Sequence, residues 1–360
     1  MTGRRLQAPG RVNLIGEHTD YSGGLVLPAA IDRRVFLEAE PFGDWIDLES
    51  QGFSESVRIP ADGSQAPGAG WGRYVGAVAA ELAAAGRPPI GLRGRLSSDL
   101  PAGAGLSSSA ALEVVVGLAL CAAADFPLAP LELAALAQRA EQRAVGVPSG
   151  IMDQAASLLG RAGHALLLDC GTLEHRHIAV PAALSIVVID SGIARELEHS
   201  NYALRRRELE AGLAALDGRR PQDVDPSELD ALLAGVEAVP ARRVRHVVTE
   251  NARVRAMVAA LETDGDRGEV ARLFAEGQAS LRDDFEISLP EIDLLVDLAV
   301  EAGALGARLT GGGFGGAVVA LAASDRAESV AARAVEAYRA RTGRAVGALV
   351  CRPSAGAGQM

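Results

Sequence analysis

The sequence predicts an α+β chain of two domains, and three observations carry that prediction. At 360 residues it is long enough for two domains with separate cores. Its first half mixes strand and helix patterns, whereas helices dominate from "LSIVVIDSG" to about Ala304. The end of the chain alternates again, as strand, helix and strand. A boundary near residues 175–185 follows, dividing the chain into 1–180 and 181–360, although no low-complexity linker or internal repeat marks it.

Taken in order, "PGRVNLIGEHTDYSGG" places Val12, Leu14 and Ile15 in strand context before a Gly-Gly turn. "RRVFLEAEP", "WIDLES" and "ESVRIP" follow as strands with Gly and Pro between them. "GWGRYVGAVAAELAAAG" has helical apolar spacing and a glycine stop. "SSSAALEVVVGLALCAAA" is a buried helix, followed by the helices of "PLELAALAQRAEQRAVG" and "SGIMDQAASLLG". "HALLLDC" and "EHRHIAVP" close the first half as strands. Near the end, "GAVVALAAS" and "AVGALVC" are strands flanking the helix "AESVAARAVEAYRARTG".

Composition removes several function classes. A net charge of −11 argues against a nucleic-acid or anionic-membrane partner, because both favour a basic face. "MTGRRLQAPG" has no apolar signal region, and the longest apolar run, Val114–Ala124, is too short to span a bilayer. Three scattered cysteines without metal-ligand spacing suit a reducing cytoplasm, so a cytoplasmic protein is expected. There is no lysine; all 35 basic residues are arginines. That excludes a Walker phosphate loop, a protein-kinase strand lysine, Schiff-base chemistry and a Ser-Ser-Lys amidase. Any phosphate must be handled by backbone N–H groups, hydroxyls, arginine or a metal.

Two glycine-rich segments are candidates for that work. "LPAGAGLSSSAALEVV" sets Gly103, Gly105, Ser107, Ser108 and Ser109 at the mouth of the buried helix, where unpaired N–H groups and the dipole attract anions. A cap needs only one serine, and the capping box fails because Glu113 follows Ala110 rather than a serine. "LTGGGFGG" matches G-x-G-x-x-G but leads into a strand, the wrong context for a dinucleotide fold; it reads as a loop packed closely against another part of the site. Two acids also stand out. Asp153 starts an otherwise apolar helix, and Glu141 lies near a helix C-terminus, where the dipole disfavours it and no cation stands three or four residues away.

In combination, "GRVNLIGEHTDYSGG", "LPAGAGLSSSAALE" and "LTGGGFGGA" resemble the three motifs of the kinase superfamily that includes galactokinase, homoserine kinase, mevalonate kinase and phosphomevalonate kinase. The first has the galactokinase form. "VPSGIMDQ", "HSNYALRRRELE", "RHVVTENARV" and "SLRDDFEIS" are similar to galactokinases in order and spacing, so the resemblance runs from about residue 8 to 351.

The resemblance implies an N-terminal α/β domain, a ferredoxin-like C-terminal domain and an active site in the cleft between them. It implies ATP-dependent phosphorylation of D-galactose at the C1 hydroxyl, with sugar, ATP and Mg2+ as the small-molecule partners of a monomer. By the same resemblance the 103–109 loop holds the ATP phosphates, Ser108 and Glu141 bind magnesium, Asp153 is the catalytic base and Arg11 stabilises the transferring charge. Glu17, His18, Asp20, Gly150 and Tyr202 match residues that hold sugar hydroxyls. Ser22, Ser149 and Ala203 depart from the usual galactokinase residues, and "EGQASLRDD" lacks a common Ser-His. The alternatives are a kinase for a related sugar, such as N-acetylgalactosamine or arabinose, and a non-catalytic sensor of sugar and ATP.

Overall fold

Residues 3–65, 69–101, 105–193, 198–263 and 266–360 are described in the computed structural model of the chain, residues 198–200 by backbone alone. Its strands are β1 (Arg4–Asn13), β2 (Leu25–Val26), β3 (Pro28–Pro41), β4 (Trp45–Ser50), β5 (Val57–Pro60), β6 (Leu92–Ser98), β7 (His164–Asp169), β8 (His175–Ala179), β9 (Leu184–Asp190), β10 (Gly306–Thr310), β11 (Ala317–Ala323), β12 (Ala348–Cys351) and β13 (Gly358–Gln359). The helices are α1 (Gly72–Ala84), α2 (Ser108–Ala123), α3 (Pro130–Val145), α4 (Met152–Leu159), α5 (Glu198–Leu213), α6 (Leu229–Leu232), α7 (Ala238–Glu262), α8 (Arg267–Asp283), α9 (Pro290–Glu301) and α10 (Ala327–Thr342).

The first sheet has the order β13-β1-β3-β6-β4-β5, antiparallel except for the β4–β6 pair. Apolar residues run almost without break along α2, and Val114, Val115, Val116 and Leu120 are fully buried, so α2 packs against β1 and β3 on one side and α1 and α3 on the other. A three-stranded sheet, β2-β7-β8, lies next to this layer.

The second sheet has the order β10-β11-β9-β12, antiparallel throughout. Strand β9, intervening helices, the β10–β11 hairpin, α10 and β12 give the β-α-β-β-α-β connection of a ferredoxin-like sheet. Val187, Ile189, Leu309 and Val318 face a core shared with α7, α9 and α10. The chain finally returns to the first sheet, where β13 pairs with Leu6 and Gln7 of β1. No helix among the described residues is long and apolar enough to cross a membrane.

Candidate active site

The register of β1 on β3 shifts between Pro9 and Arg11, and there the chain leading into α2 lies against β1. The Arg11 amide donates to the Leu106 carbonyl at 3.1 Å, and its Nη1 donates to the Gly105 carbonyl at 2.7 Å. The remaining guanidinium edge grips Asp153 in the first turn of α4. Nε donates to Oδ1 at 2.6 Å and Nη2 to Oδ2 at 2.6 Å, a bidentate pair between residues far apart in sequence. Ser107 Oγ also donates to Asp153 Oδ2. Arg11 and Asp153, assigned to the reaction by resemblance alone, therefore stand together at the mouth of α2.

Ser107 adopts a left-handed conformation, φ 56°, immediately before α2 and caps no helix N–H with its side chain. With that hydroxyl turned to Asp153, the first turn of α2 keeps donors for an anion. Ser109 Oγ donates to Glu141 Oε1 at 2.9 Å. Ser108 is exposed and lines the cavity with Gly105 and its two serine neighbours. Gly103 lies outside the described residues.

Glu141 is as isolated from cations as the sequence suggests. It accepts from Ser109, from Ser149 Oγ at 3.2 Å and from Gln154 Nε2 at 2.9 Å, and from no arginine among the described residues. Arg139 and Arg143 turn instead to Glu81, at 3.0 and 2.8 Å. Burial, and then the charge of Asp153, raise the Glu141 carboxyl above its usual range. Gln154 Nε2 also reaches Glu113 at 3.0 Å, and burial followed by the charge of Glu141 pushes this fully buried acid well up. Ser149, one of the sequence's departures, is thus in contact with the proposed metal ligand.

The turn after β1 contributes Glu17, His18 and Asp20 to the same cavity. Burial, and then Asp153, raise Asp20 from 3.8 to about 6. Gly150 has to be glycine: an added Cβ would sit 1.9 Å from Asp20 Oδ2. His18 Nδ1 accepts from the Tyr21 hydroxyl at 2.8 Å, and Nε2 donates to the Gly312 carbonyl at 3.2 Å. Its ring packs 4.7 Å from Phe285 and 5.3 Å from Tyr202, and burial lowers its pKa to about 3, so it is a neutral pillar of the pocket. The glycine loop of the third motif reaches the site here: Gly311 and Gly312 line the cavity.

Glu17 is buried with an arginine that the sequence reading did not single out. Arg308 Nη2 lies 2.7 Å from Glu17 Oε2, off the hydrogen-bond axis; the Gly311 amide and Glu17's own amide approach the carboxylate, and no side chain among the described residues donates a hydrogen bond to it. Burial outweighs the arginine and raises Glu17 from 4.5 to about 7.

One cavity of about 530 Å³ joins these groups: Arg11 and Asp153, the serines and Glu141 line it together with Glu17, Asp20 and Tyr202. Arg73 and Tyr74, at the start of α1, also line it. They, Gln154, Ser149 and Arg308 were not foreseen; the available signal was an arginine inside the otherwise apolar β10. A depression on the outer face of the first sheet, around Arg5, Glu38 and Arg93, is bounded by exposed ion pairs and contains none of these groups.

Profiles of known families match three parts of the chain. The galactokinase galactose-binding signature covers residues 4–41, the GHMP kinases N terminal domain 73–161 and the GHMP kinases C terminal domain 256–340. Among solved structures, that of Lactococcus lactis galactokinase complexed with galactose is 32% identical. It superposes with a TM-score of 0.93, over 99% of this chain and 95% of that one. Methanococcus jannaschii mevalonate kinase (18% identical, TM-score 0.68, 97% and 98% covered) and Cytophaga hutchinsonii homoserine kinase (18%, 0.62, 100% and 98%) share the fold. At that identity over nearly the whole of both chains, and with the galactose-binding signature on the strand that carries Arg11, the chain belongs to the galactokinase family of the GHMP kinases.

Proposed function

We propose that this enzyme transfers the terminal phosphoryl group of ATP to the C1 hydroxyl of D-galactose in this cavity, with Asp153 as base. The observation that carries the reading is the Arg11–Asp153 pair, set between an uncapped helix mouth and a pocket of buried acids. An ionised carboxylate offers about four acceptor positions. Arg11 and Ser107 occupy one on Oδ1 and two on Oδ2, which leaves Oδ1 able to accept the sugar proton. As the C1 O–H bond breaks, its proton passes to Asp153, the new O–P bond forms and the bond to ADP breaks. Arg11 fixes the base and sets positive charge beside the transferring group, so the residues act by positioning and electrostatics.

Glu17, Asp20 and Tyr202 suit sugar hydroxyls: two raised acids and a phenol, with Gly150 giving Asp20 its room and His18 supporting the wall. Gly103, Gly105 and the serines of the loop are proposed for the ATP phosphates, with Arg73 as a further cation on the cavity wall. Glu141 fits a magnesium site, because it is a half-buried carboxylate near two further acids without a cation in contact. Hard oxygen donors and substrate phosphates are what Mg2+ takes; Glu141 and Ser108 would hold it, and bound Mg2+ neutralises phosphate charge. The division at residue 180 is supported by sheet membership up to β12, since β1–β8 precede it and β9–β12 follow, while β13 returns to the first sheet. The three cysteines are free, which suits a reducing compartment such as the cytoplasm.

The test is ADP release across free monosaccharides, with the product identified as galactose 1-phosphate. A buried pocket that pairs the C4 hydroxyl leaves its own groups unsatisfied with glucose, which costs on the order of 10⁴ in kcat/KM. Comparable turnover of the two epimers refutes the assignment.

A further inference from the structure

Arg308 belongs to β10 in the second sheet, yet its guanidinium ends beside Glu17, on the turn after β1. It is fully buried. Its Nη2 donates to Glu250 Oε1 at 2.6 Å and lies 2.7 Å from Glu17 Oε2. Glu250 is itself pinned, accepting from Arg253 Nε at 2.8 Å and from the Gly16 amide at 2.9 Å. Burial pushes Glu250 up, but Arg308 and Arg253 outweigh it and hold the carboxyl well below its usual range. Behind Arg308, Gly277 leaves the space the guanidinium needs; a Cβ there would lie 2.6 Å from Nη1.

The chain of contacts has a direction. Glu250 is held by three directed donors and anchors Arg308. Arg308 then meets Glu17 by charge and proximity, without spending a hydrogen bond on it. Glu17 is therefore held in place on the wall of the cavity, near the Gly311 amide but with no side-chain donor on its oxygens. A buried carboxylate short of donors is costly unless something supplies them.

We propose that Arg308 is a positioning residue for sugar recognition, which sets the Glu17 carboxylate so that its oxygens receive hydroxyl groups of the sugar. The proposal rests on the reading of that part of the cavity as the sugar pocket. It gives the second sheet a part in sugar specificity through a residue that does not touch the sugar.

The experiment measures D-galactose affinity, the KM and kcat for galactose, and ATP affinity as a control on folding. The variants are Glu17→Gln, Arg308→Lys, Arg308→Gln, Gly277→Ala and the double variant Glu17→Gln with Arg308→Gln. Lysine keeps the charge but loses the planar fork, and Gly277→Ala displaces the guanidinium without removing any charge. Each single change at 308 or 277 is expected to weaken galactose by about 10–100-fold, the usual cost of losing a partner that orients a ligating group. The loss should fall on KM more than on kcat, with ATP affinity within about twofold of wild type, well short of the tenfold that 1.4 kcal/mol gives. The double variant should bind galactose no more weakly than Glu17→Gln alone, since Arg308 acts through Glu17. Wild-type galactose affinity in the folded 308 and 277 variants, or losses that add in full in the double variant, overturn the proposal. Should Arg308→Gln not fold, Arg308→Lys and Gly277→Ala decide it. Unchanged affinity in Glu17→Gln would instead overturn the assignment of the sugar pocket itself.

Discussion

Replacing Asp153 by asparagine keeps the shape of the side chain and removes its ability to take a proton. The surroundings define what else changes. Arg11 presents two N–H groups to the two carboxylate oxygens, each at 2.6 Å, and an amide can meet only one of them with an acceptor. The other guanidinium edge then faces an NH2 group, while Nη1 keeps the Gly105 carbonyl and Ser107 can turn to accept from the amide. Because Arg11 is only 6% exposed, this half-broken pair has a stability cost, for which about 3–5 kcal/mol is the range for a buried pair losing one partner. The catalytic loss is separate. Removing a general base costs about 10²–10⁴ in rate, which corresponds to ~3–5 kcal/mol of barrier. It should appear in kcat, with galactose affinity changed little, because Glu17, Asp20 and Tyr202 remain. Turnover by coupled ADP release, galactose affinity by calorimetry and folding by thermal melt separate the two costs. A folded variant that retains more than about a tenth of wild-type kcat, outside the general-base range, removes Asp153 from the chemistry.

Three further outcomes follow from the same geometry. Glu141→Gln keeps the size of the side chain and removes its charge, so the magnesium requirement should rise sharply while galactose affinity changes little; an unchanged magnesium titration refutes the metal assignment. Gly150→Ala drives a methyl into Asp20 and should lower kcat/KM for galactose by about 10²-fold, the cost of roughly 1 Å of misplacement, with ATP affinity preserved; an unaffected KM for galactose refutes the placement. Glu17 titrates higher in the folded protein than in the unfolded chain, about 7 against 4.5, so its contribution to stability is full below pH 4.5 and lost as pH rises through 7. The unfolding free energy of wild type minus that of Glu17→Gln should accordingly fall by roughly 3 kcal/mol between those limits; urea melts that show a constant difference from pH 5 to 8 refute it.

Long regular elements were legible because their signals are local. The helices α1, α2, α3 and α10 lie where apolar spacing and a terminal glycine or alanine run placed them, β4 and β5 where short strand patterns stand between Gly and Pro, and β9 and β11 where short apolar runs do. The strands that escaped notice are those whose polar residues have distant reasons. Of β1 the sequence pattern places only Val12 in a strand: the strand begins with Arg4 and Arg5, exposed at the sheet margin, so its first half lacks an apolar signature, and Leu14 and Ile15, read with Val12, lie past its end at Asn13. β6 alternates buried Leu92 and Leu96 with charges on an open face. β10 carries Arg308 in a wholly buried strand, which is tolerable only because Glu17 and Glu250 arrive from elsewhere in the chain. In the site, the absence of a local cation near Glu141 was readable, because helix spacing fixes which residues can reach it. Which serine faces it was not: Ser109 makes the hydrogen bond, a matter of the angle at which α2 meets α3. Pairing of Arg11 with Asp153 likewise depends on how α4 crosses the end of β1, and no local pattern encodes that crossing.

The return of the chain to β1 bears on how the molecule is made. The segment before β13 is fastened to the first layer by backbone hydrogen bonds, from Ser354 to Ala30, Gly356 to Gly160 and Ala357 to Ser157, the last on the helix that carries Asp153. During synthesis β1 leaves the ribosome well before its outer neighbour, with the whole second sheet translated in between. Throughout that interval the outer edge of β1 offers unpaired N–H and C=O groups, the kind of edge that recruits strands from other chains. The sheet that bears Arg11 is therefore completed only after the entire second sheet has been translated, and a nascent chain has to keep that edge solitary until its own tail arrives.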